Sequence, residues 1–246
     1  MSYPERLGRE LAAVGIHGRL RGRILAEAAD HLASGGTEER FGDPRAIAER
    51  FAAELAPSVS RRGAWSAFAA LAVAGGVYAV AFLSVSPRTA APAPFAVAVV
   101  APQVAFVAGC LAVLRALRRP ADTAVIGRRA LLGIGAGIAA LGSVASLASP
   151  LYAVPVVLLL AAVPRTVAAA RLRAPAAVVG DLRDDLGLRI EPWRAARWLA
   201  LALFVVVAAA GAVQGDPFDG LLRAALESLA CLAGFWAFGR PIGLRR

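Results

Sequence analysis

Two ionisable residues lie within the last apolar segment of the chain, where charged groups are rare. Arg223 and Glu227 are four residues apart in the segment 221–238, so in a helix they share one face and can form an ion pair. Ionisable groups inside apolar spans are costly, and they often mark a proton or ligand site. The alternative is a pair that neutralises itself near a helix end, and both interpretations stay open.

Few other polar groups could assist this pair. Gln103 lies next to Pro102 in another apolar segment and can form a hydrogen bond to a neighbouring helix. The apolar segments contain no His, Lys or Asp, and the chain has no metalloprotease or P-loop motif. We therefore predict no enzyme activity, catalytic residue, cofactor or metal site.

The elements that must position these residues are membrane spans. Apolar residues make up 59% of the 246 residues, against roughly 45–50% in soluble domains. A spanning helix needs about 20 mostly apolar residues. Six segments approach that length, at residues 64–85, 95–114, 130–149, 151–164, 198–213 and 221–238. We predict an all-α protein with a six-helix transmembrane domain at residues 64–238.

The arginines predict how these segments cross the membrane, because cytoplasmic flanks carry the excess of positive charge. If the N-terminus is cytoplasmic, seventeen Arg lie at inner flanks and only Arg88 and Arg223 lie near outer ends. The inner residues are Arg61, Arg62, Arg115, Arg118, Arg119, Arg128, Arg129, Arg165, Arg171, Arg173, Arg183, Arg189, Arg194, Arg197, Arg240, Arg245 and Arg246. We predict a multi-pass protein of the inner membrane with both termini cytoplasmic.

The short fourth segment, 151–164, contains Pro155 and ends at Pro164. Without it, seven of the inner Arg would lie outside, so we predict a span that is kinked or extends through 166–170. In the third segment, Gly133 and Gly137 form a GxxxG pattern that permits close helix packing. The net positive charge of the chain does not indicate nucleic-acid binding, because the basic residues lie where the predicted loops meet the membrane.

Residues 1–57 differ from the rest of the chain and predict a small cytosolic domain of three helices. The first helix begins at a capping box of Ser2 and Glu5, and the last begins at Asp43-Pro44. The predicted apolar stripes are Leu7, Leu11 and Val14, then Leu20, Ile24, Ala28 and Leu32, then Ile47, Phe51 and Leu55. Pro57 is expected to end the third helix, and residues 58–63 to form a linker.

This N-terminal unit (residues 1–57) resembles the HAAS-type helical signalling domain. The resemblance rests on "YPERLGRELAAVG", "RLRGRILAEAADHLASG" and "ERFGDPRAIAERFAAEL", which cover most of residues 3–55. The Glu-x-x-x-His-Leu signature is Glu27 to Leu32, and the Gly-Asp-Pro turn is Gly42 to Pro44. The sequence departs at Gly15-Ile16, where that family commonly has Leu-Pro, and at Ala28, where a larger apolar residue is usual.

The resemblance implies a cytoplasmic domain attached to several spans that binds a PadR-type transcription regulator. Five polar residues on the exposed side of the second helix are the predicted contact surface: Arg19, Arg23, Glu27, Asp30 and His31. A plain solvated face is the alternative for each of them, and His31 is also interpretable as a structural histidine at a helix end.

The predicted cytoplasmic loop 165–197 contains a candidate amphipathic surface helix around residues 178–186. Its polar side carries Asp181, Arg183, Asp184 and Asp185; without fixed ligand spacing, a solvated face is favoured over a metal site. The C-terminal residues 239–246 form a cytoplasmic tail. Cys110 and Cys231 lie in apolar runs, so we expect free buried thiols.

The leading hypothesis is a membrane signalling adaptor whose N-terminal unit binds a PadR-type regulator or a similar soluble partner, without direct contact to nucleic acid. The alternative is a permease or small-molecule exporter subunit, with the N-terminal unit as a regulatory prefix. A membrane enzyme ranks third because the spans offer no pair of catalytic groups. Besides the lipid bilayer, a second copy of the chain is a further partner that the sequence leaves open.

Overall fold

A computed structural model describes residues 2–83, 92–144, 152–175, 192–213 and 217–239. Within these ranges the regular structure is helical and no strand forms, which confirms the all-α class. The helices are α1 (Tyr3–Ala13), α2 (Gly18–Ala33), α3 (Glu38–Phe41), α4 (Pro44–Leu83), α5 (Pro92–Arg118), α6 (Thr123–Val144), α7 (Ala153–Arg171), α8 (Pro192–Val213) and α9 (Pro217–Gly239). The predicted surface helix at 178–186, with its aspartates, lies outside the described residues.

The N-terminal unit has its own apolar core, formed by α1, α2 and the first turns of α4. Its largest fully buried side chains are Tyr3, Leu7 and Leu11. The helix start is as predicted, because the backbone N–H of Ser2 donates to the Glu5 carboxylate at 2.9 Å. One short helix, α3, was not predicted.

Two of the predicted stripes need correction. Leu20 is 42% exposed, so α2 contributes Ile24 and Ala28 to the core but not its first leucine. Where α4 belongs to the N-terminal unit, its fully buried residues are Ala48, Ala52 and Ala56, whereas the predicted Ile47, Phe51 and Leu55 are only partly buried around them. The alanine row lets α4 approach the bulky side chains of α1, and the larger residues close the sides.

The prediction that Pro57 ends the third helix is wrong. α4 continues as a single helix of 40 residues through Pro57 and through the predicted linker 58–63. An interior proline costs about 3 kcal/mol because it removes one backbone hydrogen bond. Packing holds this stretch nevertheless: Ser60 is fully buried and donates to the carbonyl of Pro120 at 2.7 Å, and Gly63 lies against Ala169 of α7.

Among the described residues, three helical stretches are long and apolar enough to cross a membrane: Val100–Arg118, Thr123–Ser143 and Ala153–Arg171. They correspond to the second, third and fourth predicted segments. The fourth, which the sequence left in doubt, forms one helix that includes Pro164. Residues 165–171, assigned above to the long loop, therefore belong to α7. A shorter apolar stretch, Ala196–Ala209, lies in α8.

The bundle is packed mainly through small residues. α5 packs against α4, α6 and α9; α4 also packs against α6 and α7, and α8 packs against α9. The predicted role of the GxxxG pattern agrees with the geometry, because a Cβ on Gly137 would lie 2.8 Å from Leu71 Cδ2 and one on Gly133 would lie 3.1 Å from Leu71 Cδ1. Cys110 and Cys231 are free thiols, and Cys231 is buried.

Candidate functional site

The five predicted contact residues on α2 lie on its solvent side. Arg19, Arg23, Glu27, Asp30 and His31 are all exposed. They lie toward solvent because Ile24 and Ala28 fix which side of α2 faces the core of the N-terminal unit. We call these five residues and Leu20 the α2 face.

Within the α2 face, the charged side chains remain available to a partner. Arg23 Nε contacts Glu27 Oε1 at 3.1 Å, and both side chains are well over half exposed. An exposed pair of this kind contributes little stability, typically below about 1 kcal/mol. His31 is more constrained, since its ring packs edge-on against Phe41 with ring centroids 5.0 Å apart. That contact agrees with a structural histidine at the end of α2.

Leu20 is the residue of the α2 face that sequence reasoning missed, because its spacing assigned it to the core. It lies three residues before Arg23 and seven before Glu27 on the same side of the helix. An exposed leucine flanked by charged groups provides the apolar contact that charged residues alone lack. Helical spacing could not identify it, because α2 buries only Ile24 and Ala28 of the four residues in its predicted apolar stripe.

The predicted pair in the bundle forms, and a third residue joins it. Arg223 Nε lies 3.1 Å from Glu227 Oε1 in α9, and Gln103 of α5 donates its Nε2–H to Glu227 Oε2 at 3.4 Å. Gln103 and Glu227 are both buried. The structure thus unites two predictions that the sequence could make only separately.

Two further hydrogen bonds join the helices that flank this cluster. Ser228 Oγ donates to the carbonyl of Ala200 in α8 at 3.1 Å, and the hydroxyl of Tyr78 in α4 donates to the carbonyl of Ala98 in α5. Because Glu227 has a cation on one side and an amide donor on the other, its charge is compensated. The arrangement can hold a carboxylate in an apolar bundle, and it links α5 to α9.

A third constellation joins the N-terminal unit to the bundle and was not predicted. Leu172, just after α7, is buried in the core of the N-terminal unit, and the N–H of Arg173 donates to the carbonyl of Val14 at 2.9 Å. Thr123, which begins α6, donates to the carbonyl of Leu172. We call this contact, including the α1–α2 turn at Gly15, the junction.

Gly15 shows why the junction can form. Its φ is +91°, a left-handed conformation that favours glycine, and an added Cβ would lie 2.3 Å from the carbonyl oxygen of Arg171. Gly15 was therefore the local sequence signal for this contact. Only a structure could identify the segment that it contacts.

Beside the junction, the α5–α6 turn is fixed by an ion pair. Arg115 Nη2 lies 2.5 Å from Asp122 Oδ2, and Arg115 Nε donates to the same oxygen at 2.9 Å. Both are charge-assisted hydrogen bonds, which are shorter and stronger than neutral ones. The turn also contains Pro120, whose carbonyl accepts the hydrogen bond from Ser60 of α4.

Within the described parts of the chain, no group of three or more His, Cys, Asp or Glu side chains is arranged to hold a metal ion. Comparison with known protein families, curated proteins and solved structures finds no match to this chain.

Proposed function

We propose that the chain is a membrane signalling adaptor whose N-terminal unit binds a PadR-type transcription regulator, or a similar soluble partner, in the cytosol. The residues that carry this role are those of the α2 face. The adaptor itself performs no catalysis and does not contact nucleic acid. The partner class comes from the resemblance to the HAAS-type domain, and the binding surface comes from the geometry of α2.

The single observation that carries the proposal is the exposure of Leu20 at 42% among the charged residues of α2. Protein interfaces combine an apolar contact with a polar rim, and Arg is favoured in them. Leu20 with Arg19 and Arg23 supplies that combination on a helix that packs mainly against α1. Because Leu20, Arg19 and Arg23 lie outside the core of the N-terminal unit, partner binding to them leaves the fold undisturbed.

We further propose that six spans cross the inner membrane, with both termini in the cytoplasm. Three spans are the stretches Val100–Arg118, Thr123–Ser143 and Ala153–Arg171; the others are the second half of α4, α8 and α9. The junction supports this orientation, because it joins the N-terminal unit to Arg173 and, through Leu172, to Thr123 at the start of α6. This contact is what the proposal expects if the arginine-rich ends and the N-terminal unit share one side.

Photo-cross-linking in the native host tests the proposed partner. The full-length chain carries benzoylphenylalanine in place of Leu20, or in place of Ala29 as a control. Ala29 is also exposed on α2 but lies outside the α2 face. We expect the Leu20 position to cross-link a helix-turn-helix regulator and the Ala29 position to give at most a weak product. Cross-linking of no soluble protein from Leu20, or equal products from both positions, would refute the proposal.

The second candidate function is a permease or exporter subunit, and the cluster of Gln103, Arg223 and Glu227 favours it. A compensated carboxylate between helices is a feature of proton-coupled transport. Glu227→Gln keeps the shape and removes the charge, so it should abolish export of a transported compound while leaving cross-linking through the α2 face intact. Unchanged drug resistance and transport in this variant would remove the second candidate.

A further inference from the structure

A cavity of about 250 Å³ lies between α4, α5 and α6, and no role described so far uses it. Its lining includes Phe68, Gly75 and Tyr78 from α4, Phe106 from α5 and Gly137 from α6. Gly75 on its rim is exposed, so the cavity opens sideways from the bundle. If α4 spans the membrane as proposed above, on which this inference rests, that opening faces the hydrocarbon phase.

The chemistry of the wall selects an apolar occupant. The lining contains alanine, glycine, proline, leucine and aromatic rings, and the one hydroxyl among them, that of Tyr78, already donates to the carbonyl of Ala98. A buried water needs about two to four polar partners, and the wall residues that the structure describes do not provide them. A cavity of ~150 Å³ with such a wall stays dry and binds benzene.

We propose that this cavity binds a hydrocarbon chain of roughly ten non-hydrogen atoms, scaled from the benzene cavity, which enters between α4 and α5 from the lipid phase. The chain belongs either to a free lipophilic molecule or to the acyl group of a lipid. This site is independent of the partner that binds the α2 face.

The experiment uses the full-length protein in vesicles of phosphatidylcholine and phosphatidylglycerol. One arm adds 3-azioctanol, a photoactivatable alcohol, and the other replaces part of the phosphatidylcholine by a lipid with a photoactivatable acyl chain. After irradiation, mass spectrometry locates the labelled residues. Saturable labelling of the cavity wall in the first arm identifies a free molecule, and labelling of the same residues in the second arm identifies a lipid chain. Labelling of the wall in neither arm overturns the proposal.

Two neighbouring glycines provide matched variants. An added Cβ on Gly75 or on Gly76 meets no atom within 4 Å, but only Gly75 lines the cavity. Gly75→Leu should fill the cavity and reduce its labelling about tenfold, which corresponds to about 1.4 kcal/mol. Gly76→Leu should label like the wild type. Equal labelling of the two variants contradicts the proposal.

A competition on the wild type needs no variant and covers the case in which Gly75→Leu does not fold. Excess unlabelled 1-octanol should remove the label from α4 and α5. It should not affect labelling of Val157 and Leu160 on α7, which are exposed and serve as a lipid-facing reference. If competition is the same at the cavity and on α7, the label reports general contact with lipid and the proposal fails.

Discussion

The core of the N-terminal unit and the main core of the bundle are built from different residues. The core of the N-terminal unit is centred on large side chains: Tyr3, Leu7, Leu11 and Ile16 are almost completely buried. The main core of the bundle consists largely of alanines, including Ala64, Ala67, Ala112 and Ala130. A single helix, α4, passes through both.

The difference agrees with the environments proposed for the two cores, water for the N-terminal unit and lipid for the bundle. In water, burying a large apolar side chain stabilises the fold by about 1.5–3 kcal/mol. In a membrane the surrounding lipid is as apolar as leucine, so helices gain mainly from close packing, and small residues permit it. Substitutions that add side-chain volume should therefore destabilise the bundle most. Substitutions that remove side-chain volume should destabilise the N-terminal unit most.

Adding volume where backbones are closest should have the largest effect. A Cβ on Gly127 would lie 2.3 Å from the backbone nitrogen of Ala170, and no side-chain movement relieves that clash. Gly127→Leu should prevent α6 from packing on α7, so that size-exclusion chromatography of the detergent-solubilised protein shows aggregates. Gly135→Leu is the control, because its added Cβ meets nothing within 4 Å. Loss of the monodisperse peak in both variants would contradict the claim that the close approach of α6 and α7 at Gly127 is what excludes a side chain there.

Removing volume at the junction should have the next largest effect, and it should be confined to the N-terminal unit. Leu172→Ala removes a buried side chain from that core, which costs about 2–5 kcal/mol for a leucine in a packed interior. Hydrogen exchange should then accelerate in α1 but not in α6. Leu20→Ala, on the exposed side, should change stability by less than about 0.5 kcal/mol. The same acceleration from both variants would show that Leu172 does not belong to the core.

Features determined by neighbouring residues were accessible from the sequence. Helical spacing identified the Arg223–Glu227 pair, and capping chemistry identified the start of α1. The distribution of arginines predicted the fourth span although its apolar segment is short. These predictions need only the geometry of one helix. Gln103 could be recognised as a bonding group, but its partner 124 residues away could not.

Features determined by distant contacts were not accessible. Pro57 is a helix breaker by local rules, yet packing around Ser60 and Gly63 keeps α4 continuous. Leu172 lies in a segment without periodicity, so nothing local assigns it to the core of the N-terminal unit. The prediction that Leu20 is buried failed for the opposite reason. Its spacing fits an apolar stripe of which the packing of α2 buries only a part.

A smaller effect is expected from the polar contact that holds α4 against the α5–α6 turn, beside the junction. Ser60→Ala leaves the buried carbonyl of Pro120 without its donor, a loss of about 1–3 kcal/mol. Ser58 is the matched control, because it is exposed and bonds only within its own helix, to the carbonyl of Leu55 at 3.0 Å. Thermal melts in detergent should show a lower Tm for Ser60→Ala alone. Equal Tm values for the two variants would mean that packing alone carries α4 through Pro57.

The smallest effect concerns the one phenol in the core of the N-terminal unit. Burial raises the pKa of Tyr3 above its ordinary value, and the nearby carboxylates of Asp43 and Glu38 raise it further. An unfolded tyrosine titrates near pH ~10, so the folded state holds this proton more tightly. The stabilisation from Tyr3 is therefore constant below that pH and is lost as the pH rises from there through the folded pKa.

Tyr3→Phe removes both this titration and the hydrogen bond from the hydroxyl to the carbonyl of Gly42, which measures 3.2 Å. The lost hydrogen bond should lower the stability of the N-terminal unit by about 1 kcal/mol at neutral pH. Above pH ~10 the wild type alone should lose stability through this phenol, so the two curves of Tm against pH converge. Circular dichroism melts between neutral and alkaline pH measure that convergence. Parallel curves would show that the phenol is solvated, and the bulky core of the N-terminal unit would then be more open than its packing indicates.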